Sequence, residues 1–244
     1  MNFGGDVTNR IAPIVFAAAL FGACGGSAAI ATASPAPTTA ATQAAPATTP
    51  AATATTATTA VAATSIWTVS STSKAVVSVR EQLVGVSLPS DAVLTATGGS
   101  GTFALKSDGT FSSDSKISFD LTTLSSDSRD RDNFVKQDTL NTRQFPKAEF
   151  VPTKTSGLTL PLASAGTFTF TLTGNLTIHG KTKDVTFNVV AKRNGGDITA
   201  TATLAPTVKF GDFGMSAPSV PFRVVSVVDE IRIVVELAAT GAAA

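Results

Sequence analysis

The chain has 244 residues, a net charge of +1, fifteen Phe, one Trp, no Tyr, one Cys and one His. A charge so near zero, without a long basic run, gives no support to nucleic-acid binding, and one Cys with one His cannot make a zinc site. Ala near the N-terminus inflates the 43% hydrophobic share, so the aromatic count is more informative: Phe3, Phe16 and Phe21 lie in the first 24 residues and all other Phe lie beyond residue 65.

Residues 1–24, MNFGGDVTNRIAPIVFAAALFGAC, place Arg10 before an uncharged apolar run from Ile11 to Ala23, and then the only cysteine, Cys24. This is the layout of a bacterial secretion signal. As a helix the run reaches about 20 Å against roughly 30 Å of hydrocarbon, too short to span a bilayer comfortably. A lone Cys in an exported chain has no internal disulfide partner and asks for another use. Leu20, Phe21, Gly22 and Ala23 before Cys24 resemble the lipobox of bacterial lipoproteins, which implies a diacylglycerol on Cys24 and a membrane anchor at the N-terminus. A plain cleaved signal and an uncleaved anchor are the alternatives. The expected location is the cell envelope, periplasmic or on the outer face of the membrane.

Residues 25–64 follow as a linker. From Ala31 to Thr64 almost every residue is Ala, Thr or Pro, with no charge and no aromatic ring. Such a stretch has nothing bulky to bury and cannot repay its ordering entropy. It would span about 30 Å as a flexible coil and roughly 100 Å extended, enough to hold a domain clear of a membrane. Thr with Pro also permits O-glycosylation.

Residues 65–240 form one domain, followed by a short tail, 241–244. Strands are predicted at Ile66–Ser71, Ala75–Leu83, Thr102–Lys106, Ile117–Leu121 and Lys147–Lys154. The longest candidate, GTFTFTLTGNLTI, residues 166–178, sets Phe168, Phe170, Leu172, Leu176 and Ile178 on one face and Thr on the other. A period of two builds one apolar wall and one wet wall, with Gly174 free to bend or bulge the strand. Val185, Phe187 and Val189 alternate next, then Ile198 to Leu204, then Ile231, Ile233, Val235 and Leu237. Turn signals at Gly98–Gly99, Ser107–Gly109, His179–Thr182 and Asn194–Gly196 favour short antiparallel connections. One polar segment, 128–146, interrupts the pattern, and Asp130 and Asp132 near its start with Pro146 at its end predict a short helix. The expected fold is all-β: an antiparallel barrel of about eight strands with one helical insertion, closure removing the sheet edges.

Four stretches in this order resemble the YceI-like, polyisoprenoid-binding family from about Ile66 to Leu237. They are IWTVSSTSKAVVSV; ISFDLTTLSSDSRDRDNFVKQDTLNTRQFPKAEF with its Phe145, Pro146, Ala148 and Phe150; GNLTIHGKTKDVTFNV; and VKFGDFGM at 208–215. The chain departs from the family pattern at Leu140–Asn141 and at Lys209–Phe210. The resemblance implies a lipocalin-like barrel that holds an isoprenoid chain, without catalysis and without a cofactor or metal. The ligand would be a polyprenyl or quinone-type lipid, with any polar head near the mouth. The residues implied to line the cavity are Phe103, Phe119, Phe150, Phe168, Phe170, Leu172, Ile178, Phe187, Phe210 and Phe213. His179, Lys181 and Lys209 are the candidates for head-group contact.

Each of these has a plainer reading. The Phe set can equally fill a dry core, since eight strands either pack their interior or hold one ligand; a filled-barrel structural or partner-binding envelope protein is therefore the rival. His179 sits in a turn and has no nucleophile or orienting carboxylate fixed by sequence, so a turn role is favoured over chemistry. Asp130, Arg131 and Asp132 read as a solvated helix start, and Lys181 and Lys183 as surface lysines.

Overall fold

The computed structural model describes residues 64–220 and 222–241; the predicted signal segment, Cys24, the predicted linker short of Thr64 and the last three residues lie outside the described residues. In chain order the elements are β1 (Ser65–Val69), β2 (Lys74–Leu83), β3 (Ser90–Thr97), β4 (Ser100–Leu105), β5 (Lys116–Asp120), α1 (Arg129–Phe134), β6 (Lys147–Ser156), β7 (Ala165–Ile178), β8 (Lys181–Asn194), β9 (Asp197–Leu204) and β10 (Val224–Gly241).

All pairings are antiparallel. β1, β4, β5, β6, β7, β8, β9 and β10 follow one another around the sheet, and β10 returns to β1 through Trp67↔Gly241, Thr68↔Thr240 and Val69↔Ala239, which closes a ring of eight. β2 lies on the same edge of β10 as β1, pairing with Val224 to Glu236, and β3 pairs with β2 as β4 pairs with β1. Two of the ring's strands are thus long and broken in the middle. The first break is bridged by Ser73, 1% exposed, whose Oγ accepts from Ala238 N at 3.0 Å and donates to Ala238 O at 3.1 Å. The second falls at Gly98–Gly99, where a Cβ on Gly99 would lie 2.6 Å from the Ser73 Cβ. Backbone polar groups freed by a strand break need partners when buried, and one serine supplies both a donor and an acceptor here.

β3 lies outside the strands predicted from sequence. Its buried phase is Ala92, Leu94 and Ala96, while Val93 on the opposite face is 44% exposed. Small residues in and an apolar residue out erase the alternation that marks a half-buried strand. β10 is also far longer than the stretch 231–237. Register shifts between Val224 and Ser226 and between Val227 and Ile231 break its alternation, and it runs on to Gly241, one residue past the expected domain end. Gly is needed there: a Cβ at 241 would sit 2.5 Å from Trp67 Cδ1.

β7 follows its sequence pattern over its whole length. Its bulge partner is in β6, where the register shifts between Pro152 and Lys154 opposite Gly174. The Phe150 ring covers Gly174 so closely that a Cβ would meet Phe150 Cζ at 2.5 Å, so the glycine admits the ring of its neighbour while β6 takes the extra residue. The insertion after β5 is one short helix, as expected. Ser128 caps it by accepting from Arg131 N at 3.5 Å, Asp130 and Asp132 occupy its first turn, and a π-helical turn, Val135–Thr139, extends it.

Candidate functional site

The inward faces of the strands do not meet. They enclose a cavity of about 950 Å³, at the upper end of the range for ligand pockets. Phe168, Phe170 and Leu172 of β7 point into it and are only half-buried, whereas Phe187, 4% exposed, is packed edge-on against Phe150 at 5.3 Å between ring centroids. Half-burial of inward-facing Phe marks a wall that borders space rather than other side chains. The barrel is hollow, and the filled alternative raised by the sequence does not hold.

Nine of the ten apolar side chains predicted to line a cavity do so: Phe103, Phe119, Phe150, Phe168, Phe170, Leu172, Ile178, Phe187 and Phe210. Phe213 does not; it is 0% exposed and packs behind the wall with the core. Phe210 and Phe213 are the two ends of one 3-10 turn, and the sequence does not separate the one that reaches the wall from the one that packs in the core, because both are Phe.

The three head-group candidates are off the cavity wall. His179 and Gly180 are the central pair of the two-residue β7–β8 hairpin, both at positive φ (50° and 69°), the backbone hand that suits such a turn. The His179 ring lies edge-on to Phe145 at 4.7 Å, and its Nδ1 sits 3.3 Å from the Phe213 carbonyl, to which it donates when protonated at that nitrogen. Lys181 flanks the turn and is exposed. Lys209 precedes the 3-10 turn Phe210–Phe213 and donates its backbone N–H to Asp212 Oδ2 at 2.8 Å. Lys183 Nζ, 2.5 Å from Asp212 Oδ1, and that backbone bond hold the Asp212 carboxyl below the usual carboxylate range. These groups dock the hairpin onto the 3-10 turn, which is the turn role weighed above.

The charges that do line the cavity are elsewhere. Glu81 follows Ala75, Val77 and Val79 on the inward phase of β2; it is 7% exposed and accepts from Arg131 Nη2 at 2.7 Å. Arg131 is therefore more than part of a solvated helix start: from α1 it reaches into the barrel, and it also pairs with exposed Asp127. Asp132 is buried and accepts from Ser126 Oγ at 2.6 Å. Beside them Arg223 Nη1 donates to Asp130 Oδ2 at 2.8 Å, a pair open to solvent. At the other end, Arg193 ends the inward phase Val185, Phe187, Val189, Ala191 of β8 and is 7% exposed. The two buried charges of the cavity wall, Glu81 and Arg193, had a sequence signal: each is a charged residue in phase with the apolar face of an alternating strand.

The two ends differ in access. Around Glu81 the lining includes Val84 (54% exposed), Val86 (46%) and Phe222 (96%), and the Val84 N–H donates to the Arg223 carbonyl at 3.0 Å, so this end is the mouth, with an apolar rim. Around Arg193 the lining is Trp67, Phe168, Leu158 and Leu162, all buried or half-buried, and the segment between β6 and β7 lies across this end.

The family model of the YceI-like domain matches residues 67–239. A UPF0312 protein of Pseudomonas putida is 37% identical over 124 residues, which cover 46% of this chain and 61% of that protein; one from Pseudomonas savastanoi is 35% identical over the same shares. The chain thus spans about three fifths of the length of these relatives. Among solved structures, a polyisoprenoid binding domain from Saccharophagus degradans, implicated in plant cell wall breakdown, is similar with a TM-score of 0.53 at 11% identity, covering 71% of this chain and 97% of that one. That likeness concerns the fold.

Proposed function

The chain belongs to the YceI-like domain family, and from that premise we propose that it is a non-enzymatic carrier that holds one long isoprenoid chain in its barrel, exported and tethered to a membrane through Cys24. The observation that carries this reading is the hollow interior, walled by Phe and aliphatic side chains and opening at one end through an apolar rim. Burying a five-carbon isoprenoid unit is worth roughly 3 to 4 kcal/mol at about 0.8 kcal/mol per carbon, so a few units outweigh the cost of association. Specificity from such burial is loose, because one methylene changes little. A polyprenyl or quinone tail suits the cavity for this reason. The similarity of the fold to a polyisoprenoid binding domain supports the same ligand class. Export and tethering rest on the leader sequence, and the apolar rim of Val84, Val86 and Phe222 is the entrance such a carrier would turn toward a lipid surface.

Trp67, the chain's only Trp, lies on the cavity wall and reports on occupancy. Titrating the full chain with prenols of two, three and four isoprene units should change Trp67 fluorescence and give affinities that tighten at each step. No response to any of them, with the protein folded, overturns the proposal.

A further inference from the structure

The closed end of the cavity holds a buried cation without a counter-charge. Arg193 Nε donates to the Gly195 carbonyl at 2.8 Å, and Nη1 donates to the carbonyls of Leu162 at 3.2 Å and Ala163 at 3.3 Å. The guanidinium carbon lies 5.5 Å from the Trp67 ring centroid. Every one of these partners is neutral. No Asp or Glu among the described residues pairs with Arg193, and its Nη2 has no acceptor among them. The other arginines of the wall are compensated: Arg131 by Glu81 and Asp127, Arg223 by Asp130.

Burying an ion away from water is expensive unless it is paired, and a guanidinium cannot escape by losing its proton. Three carbonyls and a ring face lower that cost and fix the group in place. They leave one N–H-bearing nitrogen, Nη2, and a full positive charge at the blind end of an apolar cavity. Guanidinium pairs best with an oxyanion that accepts two parallel hydrogen bonds, as phosphate and carboxylate do.

We propose that Arg193 is the head-group subsite of the cavity, and that the ligand is a single-chain lipid with an anionic head that enters head first, its chain extending back toward the mouth. This rests on the carrier reading above and makes it more specific: the head lies at the blind end beside Trp67, opposite to the mouth position expected from sequence.

The test compares lipids of one chain and different heads on the full-length protein, read by Trp67 fluorescence: farnesyl phosphate against farnesol, and palmitate against hexadecanol. The native protein is expected to bind at least one anionic member about tenfold or more tightly than its neutral partner, as a desolvated charge pair allows. The phosphate arm exceeding the carboxylate arm assigns a phosphate head, and the reverse a carboxylate. Arg193→Gln should abolish the preference, bringing the ratio of charged to neutral affinity to about one, and Arg193→Lys should keep part of it. If Arg193 only clamps the Leu162 segment, both variants lose stability but the ratio of charged to neutral affinity stays as in the native protein, and the proposal is wrong. Equal affinities in the native protein overturn it without any variant, which covers the case in which Arg193→Gln does not fold. Failure of all four lipids to bind contradicts the carrier reading itself; equal binding of charged and neutral lipids contradicts only the subsite.

Discussion

The mouth and the blind end of the cavity use the same residue type in opposite ways. At the mouth, Arg131 meets Glu81 at 2.7 Å and Arg223 meets Asp130 at 2.8 Å, so charge is cancelled within the protein. At the blind end, Arg193 is fixed by neutral carbonyls and by the face of Trp67, and its charge is left standing. The first arrangement orders side chains around an opening and asks nothing of a ligand. The second is complete only with an anion from outside. Apolar lining alone does not describe this cavity, and polarity along its length gives a ligand a direction.

The largest expected effect is at the blind end. Trp67 is 2% exposed and stacks on Phe103 with ring centroids 5.4 Å apart at 23°. Trp67→Ala should cost about 3 to 5 kcal/mol by emptying that site, seen as a lowered urea midpoint with an unchanged slope. A cost below about 1 kcal/mol would mean that this end is loosely packed, which would weaken the case for a fixed subsite.

Next comes the mouth. Glu81→Gln should destabilise by about 2 kcal/mol, less than for a fully buried pair because the Arg131 side chain is 20% exposed and keeps Asp127. Replacing both Glu81 and Arg131 by Leu should recover most of the loss, since the cost lies in the charge left unpaired rather than in a missing bond. If the double variant is as unstable as the single one, the pair does more than neutralise itself.

The smallest effect is at neither end. The Asp212 carboxyl is held low by Lys183 and by the backbone N–H of Lys209. A carboxyl whose folded pKa is depressed contributes stability that is present above its unfolded pKa, ordinarily 3.8, and is lost as pH falls through the folded value. Lys183→Ala should raise the Asp212 pKa in an NMR titration and slightly reduce stability near neutral pH, with the difference fading below about pH 4. Lipid binding should be unaffected, because this contact docks the hairpin outside the cavity. A changed lipid affinity would show that the hairpin and the wall are coupled.

How much of this was legible in the sequence depended on which side of each strand was asked about. A barrel of about eight strands followed from alternation, short turns and the closure of sheet edges, and the apolar face of β7 from alternation, because Phe168, Phe170, Leu172, Leu176 and Ile178 keep one phase over most of the strand. β3 was not legible, since Ala92 and Ala96 face inward while Val93 faces out. Nine of the ten residues named on the family resemblance line the cavity, and Phe213 does not, because it ends the 3-10 turn that Phe210 begins and packs in the core. The polar part of the site was sought in the turn, at His179, Lys181 and Lys209, where charge is conspicuous. The buried charges on the cavity wall are Glu81 and Arg193, each concealed in an apolar phase. Pairing of Glu81 with Arg131, fifty positions apart, could not be seen before the chain was folded. Cys24 and the Ala/Thr/Pro linker lie outside the described residues and remain part of the proposal.

On the proposed function, the hollow of the barrel holds a lipid. Native mass spectrometry of the full chain, before and after adding a four-unit prenol, tests it most directly. A carrier should show one lipid per chain, either carried through purification and identified by its mass in an organic extract, or taken up on addition. A folded chain whose mass is that of protein alone in both states would contradict it.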